Sequence, residues 1–375
     1  MKVVIILPTY NEKGNIKLLI EQIEKIFDRI NNYSFDILVV DDSSPDGTAS
    51  EVSIVQNTYK NVYLLVNKKK IGLGKALLVG MDYAIQKLHA EVLLEMDADL
   101  SHDPKKIPEF LEKIDKGADF VIGSRYIKGG SIPERWGIHR KLFSRIGNIL
   151  VRSILGIFRI HEWTSGFRAV RSRFFEDSKN DLSDFSGYTF QVAFLYKSLM
   201  RGAKIVEVPI NFSERYYGRS KLAPLEYISN LLFYLITTRL NELWKNGFIK
   251  FCIVGTIGFL VNLVGLEFFF NLGVRPGPAA ALGAEIAIVS NFLFNNFWTF
   301  SGEKIVTITR LIMKFIQFNV TSAGAVLIQG IVVGLGTHIY GDESRRIFLV
   351  LAIIFFIIPY SWFIYNRIIW KTHGK

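Results

Sequence analysis

The stretch EVLLEMDADLSHDP, residues 91–104, places two aspartates directly after an apolar β-type run. Residues 92–94 supply the apolar part, and Asp97 and Asp99 follow two positions apart. Because side chains two apart in a strand point to the same side, we expect both carboxylates to face one way at close range. Like charges so placed repel each other unless a cation or hydrogen-bond donors compensate for them.

Strand and helix patterns alternate around this stretch. Helical patterns such as residues 15–30 and 73–88 separate runs rich in β-branched and aromatic residues. This order predicts an α/β head with a mainly parallel sheet and helices on both faces. The β-type runs are KVVIILPTY (2–10), FDILVVDDSS (35–44), NVYLLVNKK (61–69), EVLLEMDAD (91–99) and ADFVIGSRY (118–126).

The predicted strands end in polar residues, and three of the four polar ends are acidic. They read PTYNE (8–12), DDSSPDG (41–47), DADLSHDP (97–104) and GSRY (123–126). Carboxyl ends of parallel strands meet at the ligand-binding edge of such a sheet. Oxygen ligands without a Cys or His pair favour Mg²⁺ or Mn²⁺, with substrate phosphates completing the shell. The alternative is that one aspartate caps the helix near Pro104 and the other is merely solvated.

The C-terminal third of the chain is apolar. Its four spans each reach the roughly 20 residues that a helix needs to cross a hydrocarbon layer of about 30 Å. The sequence therefore predicts a membrane protein with four transmembrane helices behind a water-soluble head. The spans cover residues 251–274, 276–302, 315–341 and 347–366.

The net charge of +11 would suit a nucleic-acid partner, but the distribution of the charge favours a membrane. Basic residues gather beside the head, in the loop between the second and third spans, and after the fourth span. By the positive-inside rule, the head, this loop and the C-terminus are cytoplasmic, and the protein is a multi-pass protein of the cell membrane. A single cysteine, Cys252, fits a reducing compartment. The basic residues are Lys245, Lys250, Lys304, Arg310, Lys314, Arg367, Lys371 and Lys375.

Several motifs resemble the family 2 glycosyltransferases, which have the Rossmann-like GT-A fold. These are LPTYNE (7–12), VVDDSSPDGT (39–48), MDADLSHDP (96–104) and GSRY (123–126). GYTFQVAFLYKSLMRG (187–202) and EVPINFSERYYGRSKL (207–222) resemble the dolichol-phosphate mannose synthases within that family. The resemblance covers about 220 residues in the right order. It implies transfer of mannose from GDP-mannose to dolichyl or other polyprenyl phosphate.

The resemblance also implies a role for individual residues. The nucleotide would contact Pro8, Tyr10 and Glu12, with Val40, Asp42 and Ala98 closing the same pocket. Asp97 and Asp99 would hold the metal at the diphosphate, and Ser101 stands where some members place a further glutamine ligand. The acceptor phosphate would be held by Arg125 and Arg140. The loop that covers the site in relatives would contribute Arg215, Ser220 and Lys221.

The implied reaction explains why these residue types are present. Loss of the diphosphate leaves negative charge, which a metal and basic side chains stabilise as it grows. A phosphate monoester with a second pKa of about 6 is largely dianionic at neutral pH, so the acceptor needs no general base. In-line attack would invert the anomeric carbon and give a β-linked product. Arginine and lysine would then act mainly by positioning two anions.

The C-terminal region resembles the GtrA-like membrane domains in KFCIVGTIGFLVN (250–262) and NFLFNNFWTF (291–300). We expect a catalytic domain over residues 1–224, an amphipathic region over 225–245 and the membrane domain over 246–375. The amphipathic region is either a core helix of the head or a helix lying in the membrane interface. KFCIVG is echoed by KFIQFN (314–319) and FNNFWTF by YNRIIWK (365–371), which indicates two related helix pairs.

Two other functions remain open from the sequence alone. A polyprenyl-phosphate glucosyltransferase using UDP-glucose would have the same fold and the same D-x-D motif. A non-catalytic lipid flippase or assembly subunit is the more distant alternative, and the intact aspartates and arginines argue against it. The oligomeric state does not follow from the sequence.

Overall fold

The computed structural model describes residues 1–185, 187–214 and 225–372, and the chain divides into two units, Met1–Thr238 and Arg239–Lys375. The first unit contains the α/β sheet and the second contains the long apolar helices. The predicted fold class is therefore confirmed in both units.

The described part of the first unit contains a seven-stranded sheet of order β3-β2-β1-β4-β6-β5-β7. β6 runs antiparallel to both of its neighbours, and every other pairing is parallel. The carboxyl ends of the parallel strands therefore share one edge. The strands are β1 Lys2–Thr9, β2 Ser34–Asp41, β3 Val62–Val66, β4 Val92–Glu95, β5 Phe120–Ser124, β6 Arg168–Arg171 and β7 Ile205–Pro209.

Helices cover both faces of this sheet, which explains its nearly continuous apolar strands. In β1, Val3 and Ile5 pack into the core on one face, whereas Val4 and Ile6 pack into the core on the other. Alternation along a strand thus produces two separate hydrophobic cores. The helices of this unit are α1 Asn15–Phe27, α2 Thr48–Thr58, α3 Leu73–Gln86, α4 Ile107–Asp115, α5 Ile138–Leu155, α6 Ser172–Glu176 and α7 Gly187–Met200.

The five predicted strands are present. β3 and β4 end before the polar residues that follow them, whereas β1, β2 and β5 include the first one or two of theirs. β4 stops at Glu95, and Leu100 adopts a left-handed backbone with φ of 63°. The expectation that Asp97 and Asp99 share one side of a strand is therefore wrong, because both lie in the turn after β4. β6 and β7 were not predicted. The antiparallel β6 pairs Glu95 with Arg168 in register.

The second unit has four helices long and apolar enough to span a membrane, within the described residues. They cover Phe248–Asn271, Gly277–Thr299, Ile308–Tyr340 and Ile347–Ile369. The third begins at Ile308 rather than at residue 315, and its 33 residues span about 50 Å at 1.5 Å per residue. It is longer than an apolar layer of about 30 Å, so basic residues of its first turns can extend beyond that layer. The regular helices are α9 Phe248–Asn271, α10 Pro276–Phe294, α11 Ile308–Tyr340, α12 Arg345–Ala352 and α13 Ile358–Ile364.

The second echoed pair, FNNFWTF and YNRIIWK, adopts the same unusual backbone in both copies. Asn295–Thr299 and Tyr365–Ile369 are both π-helical turns at the ends of apolar helices. The indole N–H of Trp370 donates to Asn296 Oδ1 at 3.0 Å, which joins the two segments directly. A third π-helical turn, Ile353–Ile357, lies outside the echoed sequences, so the relation between the two helix pairs stays a prediction.

The helix that follows the head, α8 Leu225–Lys245, is partly a core helix. Tyr234 and Leu235 are buried against the head core, and Tyr234 meets the ring of Phe185 edge-on. Phe233 and Ile236 on the other face are exposed. Within the first unit, the middle of α8 therefore packs as a core helix of the head, which is the first of the two alternatives stated for this region.

Candidate active site

The turn after β4 fixes the second aspartate. Asp99 Oδ1 accepts hydrogen bonds from the backbone N–H of Ser101 at 3.0 Å and from its hydroxyl at 2.5 Å. Both residues are buried. The hydroxyl of Ser101, predicted as a metal contact, is thus directed at the Asp99 carboxylate and holds it in place. Ala98 between the aspartates is buried as well.

His102 holds the backbone of the first aspartate, Asp97, in place. Its Nδ1 accepts the backbone N–H of Asp97 at 3.2 Å, and its ring stacks on Phe167 at 5.1 Å. Burial lowers the pKa of His102, so the ring is neutral at pH 7. A neutral ring that accepts at Nδ1 carries its proton on Nε2. His102 is therefore a support for the turn, while the Asp97 side chain remains about one-third exposed.

A buried polar group lies under Asp97. Glu95 at the end of β4 is fully buried, and burial raises its pKa to about 8. Gln191 of α7 donates to Glu95 Oε1, whereas Oε2 has no hydrogen-bond partner in the described part of the chain. Arg168 donates to the backbone carbonyls of Trp163, Ser165 and Gln191. The sequence reasoning missed this group because its members come from three distant segments.

Gly166 leaves space beside the first carboxylate. A Cβ at this position would lie 2.9 Å from Asp97 Oδ1 and 3.4 Å from Glu95 Oε1. Only glycine therefore keeps the Asp97 carboxylate in its observed place. Gly166 was not predicted as a site residue either, because a single glycine in a sequence does not indicate which side chain it will face.

The donor set fits a hard divalent cation. Asp97 and Asp99 supply carboxylate oxygens, and the space at Gly166 lies beside the more exposed of the two. The described residues contain no group of three or more His, Cys, Asp or Glu side chains arranged for a metal ion. Mg²⁺ is usually held by one or two carboxylates together with substrate phosphates, so two aspartates suffice.

The carboxyl ends of β1 and β2 form the side predicted to bind the nucleotide. Asp42 accepts hydrogen bonds from Asn67 Nδ2 and from the backbone N–H groups of Ile71 and Gly72, at 2.8–3.0 Å. The segment so anchored places the ammonium of Lys70 3.5 Å from the ring centre of Tyr10. Asp42 therefore shapes this side by holding a loop.

The other predicted nucleotide residues differ in what they expose. The Val40 side chain is fully buried and faces α3 at Gly80, so its backbone is the part nearer a ligand. Pro8 is half-buried at the end of β1. Glu12 accepts from Asn15 Nδ2 at 2.8 Å, at the start of α1.

The two predicted arginines belong to one basic and aromatic cluster. Arg125 Cζ lies 5.4 Å from the ring centre of Phe212, which meets Trp136 edge-on at 5.7 Å. Arg140 Cζ lies 3.8 Å from the ring centre of Trp136. Arg125 also forms an ion pair with the buried Glu162, a residue that the sequence reasoning missed.

The predicted covering-loop residues Arg215, Ser220 and Lys221 lie outside the described residues. The segment before them reaches the acidic turn, since the backbone N–H of Ser213 donates to the Ser101 carbonyl at 2.9 Å.

An apolar surface on α5 adjoins the basic cluster through Arg140. The helix buries Asn148, Val151 and Leu155, but its other faces expose large apolar side chains. Basic residues interrupt them, which is typical of a helix that lies at a lipid surface. The exposed apolar residues are Ile138, Leu142, Phe143, Ile146, Ile149 and Leu150.

A cavity of about 370 Å³ lies at the opposite edge of the sheet. It is lined by Asp119, Arg171 and Arg173, among others, and Asp119 forms ion pairs with both arginines. β4 and β5 run in the same direction, since both are antiparallel to β6. The aspartate turn follows the end of β4, whereas Asp119 precedes the start of β5, so this cavity and the turn lie at opposite ends of the strands.

Comparison with known proteins gives two family matches. Residues 4–178 match glycosyl transferase family 2, and residues 250–370 match the GtrA/DPMS transmembrane domain. A protein of Pyrococcus furiosus named dolichol-phosphate mannosyltransferase is 35% identical over 84% of this chain and 86% of its own length. A polyprenol monophosphomannose synthase of Mycolicibacterium smegmatis is 39% identical over 59% of this chain and 81% of its own. An undecaprenyl-phosphate mannosyltransferase of Micrococcus luteus is 37% identical, with coverages of 60% and 88%.

Proposed function

The chain belongs to glycosyl transferase family 2, and we propose that it transfers mannose from GDP-mannose to a polyprenyl phosphate, with inversion at the anomeric carbon. The observation that carries the proposal is the carboxyl edge of the sheet. There, an acidic turn at Asp97 and Asp99 stands beside a basic and aromatic cluster that includes Arg125 and Arg140. The two are joined where the ring of His102, which holds the turn, meets the ring of Phe212 in the cluster at 5.3 Å. Such a site suits two phosphorylated substrates, one binding through a cation and the other through arginines.

The acidic turn would hold Mg²⁺ or Mn²⁺ through Asp97 and Asp99. When bound, the cation would offset the negative charge that grows on the departing diphosphate. Ser101 keeps the Asp99 carboxylate fixed before the donor arrives, and Gly166 leaves room at Asp97. Preorganised charges of this kind stabilise a transition state without reorganising during the reaction.

The basic cluster would hold the acceptor. A phosphate monoester is largely dianionic at neutral pH and attacks without prior loss of a proton, so no side chain is required as a general base. Arg125 and Arg140 would hold this phosphate against the repulsion of the donor diphosphate. The names of the three relatives support mannose as the sugar and a polyprenol-type lipid as the acceptor.

The exposed face of α5 suits the surface from which a lipid phosphate emerges. Its apolar side chains can enter the headgroup region while its cations meet lipid phosphates. The four apolar helices of the second unit make the chain a membrane protein. The basic residues between and after these helices favour a cytoplasmic head, from the positive-inside rule.

We expect Phe143→Glu to lower transfer to a long-chain acceptor in vesicles about tenfold, since a charge on this face opposes insertion into the interface. Transfer to a short, water-soluble prenyl phosphate should change less than twofold. The two rates are compared by counting labelled product for each acceptor at equal protein concentration.

Ile54→Glu is the matched control, because Ile54 on α2 and Phe143 are each 66% exposed. It should leave both rates unchanged. The assignment of α5 to the lipid-facing surface would be wrong if Phe143→Glu lowered both rates equally. It would also be wrong if Ile54→Glu lowered transfer to the long-chain acceptor as much as Phe143→Glu does.

A competition between donors tests the proposed sugar and nucleotide. The purified full chain, a polyprenyl phosphate in vesicles and Mn²⁺ are incubated with ³H-labelled GDP-mannose and ¹⁴C-labelled UDP-glucose at equal concentration. We expect ³H to exceed ¹⁴C in the organic phase by more than about a hundredfold, because a nucleotide site that hydrogen-bonds one base strongly rejects another. A ¹⁴C product would support the glucosyltransferase alternative instead.

A further inference from the structure

We propose that Glu162 is a positioning residue that fixes the orientation of Arg125 toward the acceptor phosphate. The inference rests on the proposed function, since it assigns Arg125 to the acceptor. Glu162 acts through Arg125 and has no contact with the substrate of its own.

The contact between the two side chains is bidentate. Arg125 Nε donates to Glu162 Oε2 at 2.8 Å, and Nη2 donates to Oε1 at 2.9 Å. Nη2 also donates to the hydroxyl of Thr164 at 3.1 Å. Two parallel hydrogen bonds fix the plane of a guanidinium group as well as its position.

The burial of Glu162 makes this pair obligatory. The Glu162 side chain is fully buried and that of Arg125 is nearly so. Burial opposes ionisation, but Arg125 and the hydrogen bonds from Thr164 outweigh it and hold the pKa of Glu162 below its ordinary value. Glu162 is therefore a carboxylate at neutral pH. Removing one partner of a buried ion pair leaves the other charge uncompensated.

The turn that carries Glu162 is itself held from two sides. Glu207 of β7 accepts the backbone N–H groups of His161 and Glu162 at 3.0 and 2.9 Å. On the other side, Asn148 of α5 accepts the backbone N–H of Trp163 at 2.7 Å. The carboxylate that orients Arg125 thus stands on a turn tied to both the sheet and α5.

The surrounding charges explain why Arg125 needs such a guide. The electrostatic environment of His102 includes Asp97, Asp99, Arg125 and Glu162, so all four charges belong to one region. The two aspartates attract a guanidinium group, and an arginine drawn to them would neutralise the proposed metal ligands. Glu162 opposes that movement by offering a better-placed carboxylate.

We expect Glu162→Gln to raise the KM for the polyprenyl phosphate about 10- to 100-fold, from the loss of a charge-assisted bidentate contact. The KM for GDP-mannose should change less than threefold. Glu162→Asp, which keeps the charge, should recover part of the loss. The measurement is initial rate against each substrate in turn, with thermal unfolding recorded for every variant.

A double-mutant cycle with Arg125→Gln separates positioning from a merely structural role. If Glu162 acts through Arg125, the variant Arg125→Gln/Glu162→Gln binds the acceptor no more weakly than Arg125→Gln alone. The double variant also removes both buried charges together, so it remains measurable even if Glu162→Gln fails to fold.

Asp119→Asn is the control, since Asp119 pairs with Arg173 at the opposite edge of the sheet. It should leave both KM values unchanged. Independent, additive effects of Arg125→Gln and Glu162→Gln, or an unchanged acceptor KM in folded Glu162→Gln, would overturn the inference. A wild-type chain that labels no lipid would instead contradict the proposed function, so the two failures are distinguishable.

Discussion

Replacing Asp97 by asparagine is expected to lower the rate of mannolipid formation by about a thousandfold, the range in which removal of one preorganised electrostatic group acts. Asparagine keeps the size of the side chain but removes the charge that would hold the cation. The loss should appear in kcat and should persist from micromolar to millimolar Mn²⁺. The rate is measured with saturating GDP-mannose and polyprenyl phosphate.

Asp103→Asn is the matched control for Asp97→Asn. Asp103 lies in the same acidic stretch and its side chain accepts the backbone N–H of Lys105 at 3.0 Å, at the start of a short helix. Asparagine caps a helix as well as aspartate does, so this variant should keep wild-type activity. If Asp97→Asn stays within a few-fold of wild type at every metal concentration, the ligand assignment is wrong.

Gly166→Ala is expected to lower the same rate about a hundredfold, comparable to losing one oriented group at the reacting centre. The new Cβ would lie 2.9 Å from Asp97 Oδ1, closer than real Cβ contacts allow. The carboxylate can move away, because it ends a side chain, and its movement displaces the proposed metal ligand. The chain should still fold, which thermal unfolding would verify.

The comparison for Gly166→Ala is Gly147→Ala. Gly147 lies within α5, and a Cβ there meets nothing within 4 Å, so alanine should keep activity and favour the helix. Full activity of Gly166→Ala would mean that the position of the Asp97 carboxylate does not matter for turnover.

The parts of the fold that were predicted depend on local pattern. Apolar runs and polar strand ends located β1 to β5 and the edge at which the aspartates lie. β6 escaped because its sequence, RAVR, has only two apolar residues between two arginines, and because its two partners, β4 and β5, are chosen by tertiary pairing. The position of Asp97 and Asp99 past the strand depends on a turn that His102, five residues after Asp97, holds through its ring, and no apolar pattern in the sequence indicates this contact.

The site was predicted unevenly for the same reason. Asp97 and Asp99 stand in a recognisable motif, whereas Glu162 lies 37 positions from Arg125 and gains its role from contact alone. The apolar residues of α5 do recur at helical spacing. Spacing alone does not separate a face that packs on a core from one that remains exposed, and in α5 residues such as Phe143 are exposed.

The most direct test of the central claim is metal-dependent labelling of lipid by the purified full chain. Wild-type protein and Asp97→Asn are each incubated with labelled GDP-mannose and a polyprenyl phosphate, with Mn²⁺ or with EDTA. The account predicts β-linked mannosyl lipid in the organic phase for the wild type with Mn²⁺, and only background label in the other three reactions. Absence of labelled lipid in every reaction, or equal labelling with EDTA, would contradict it.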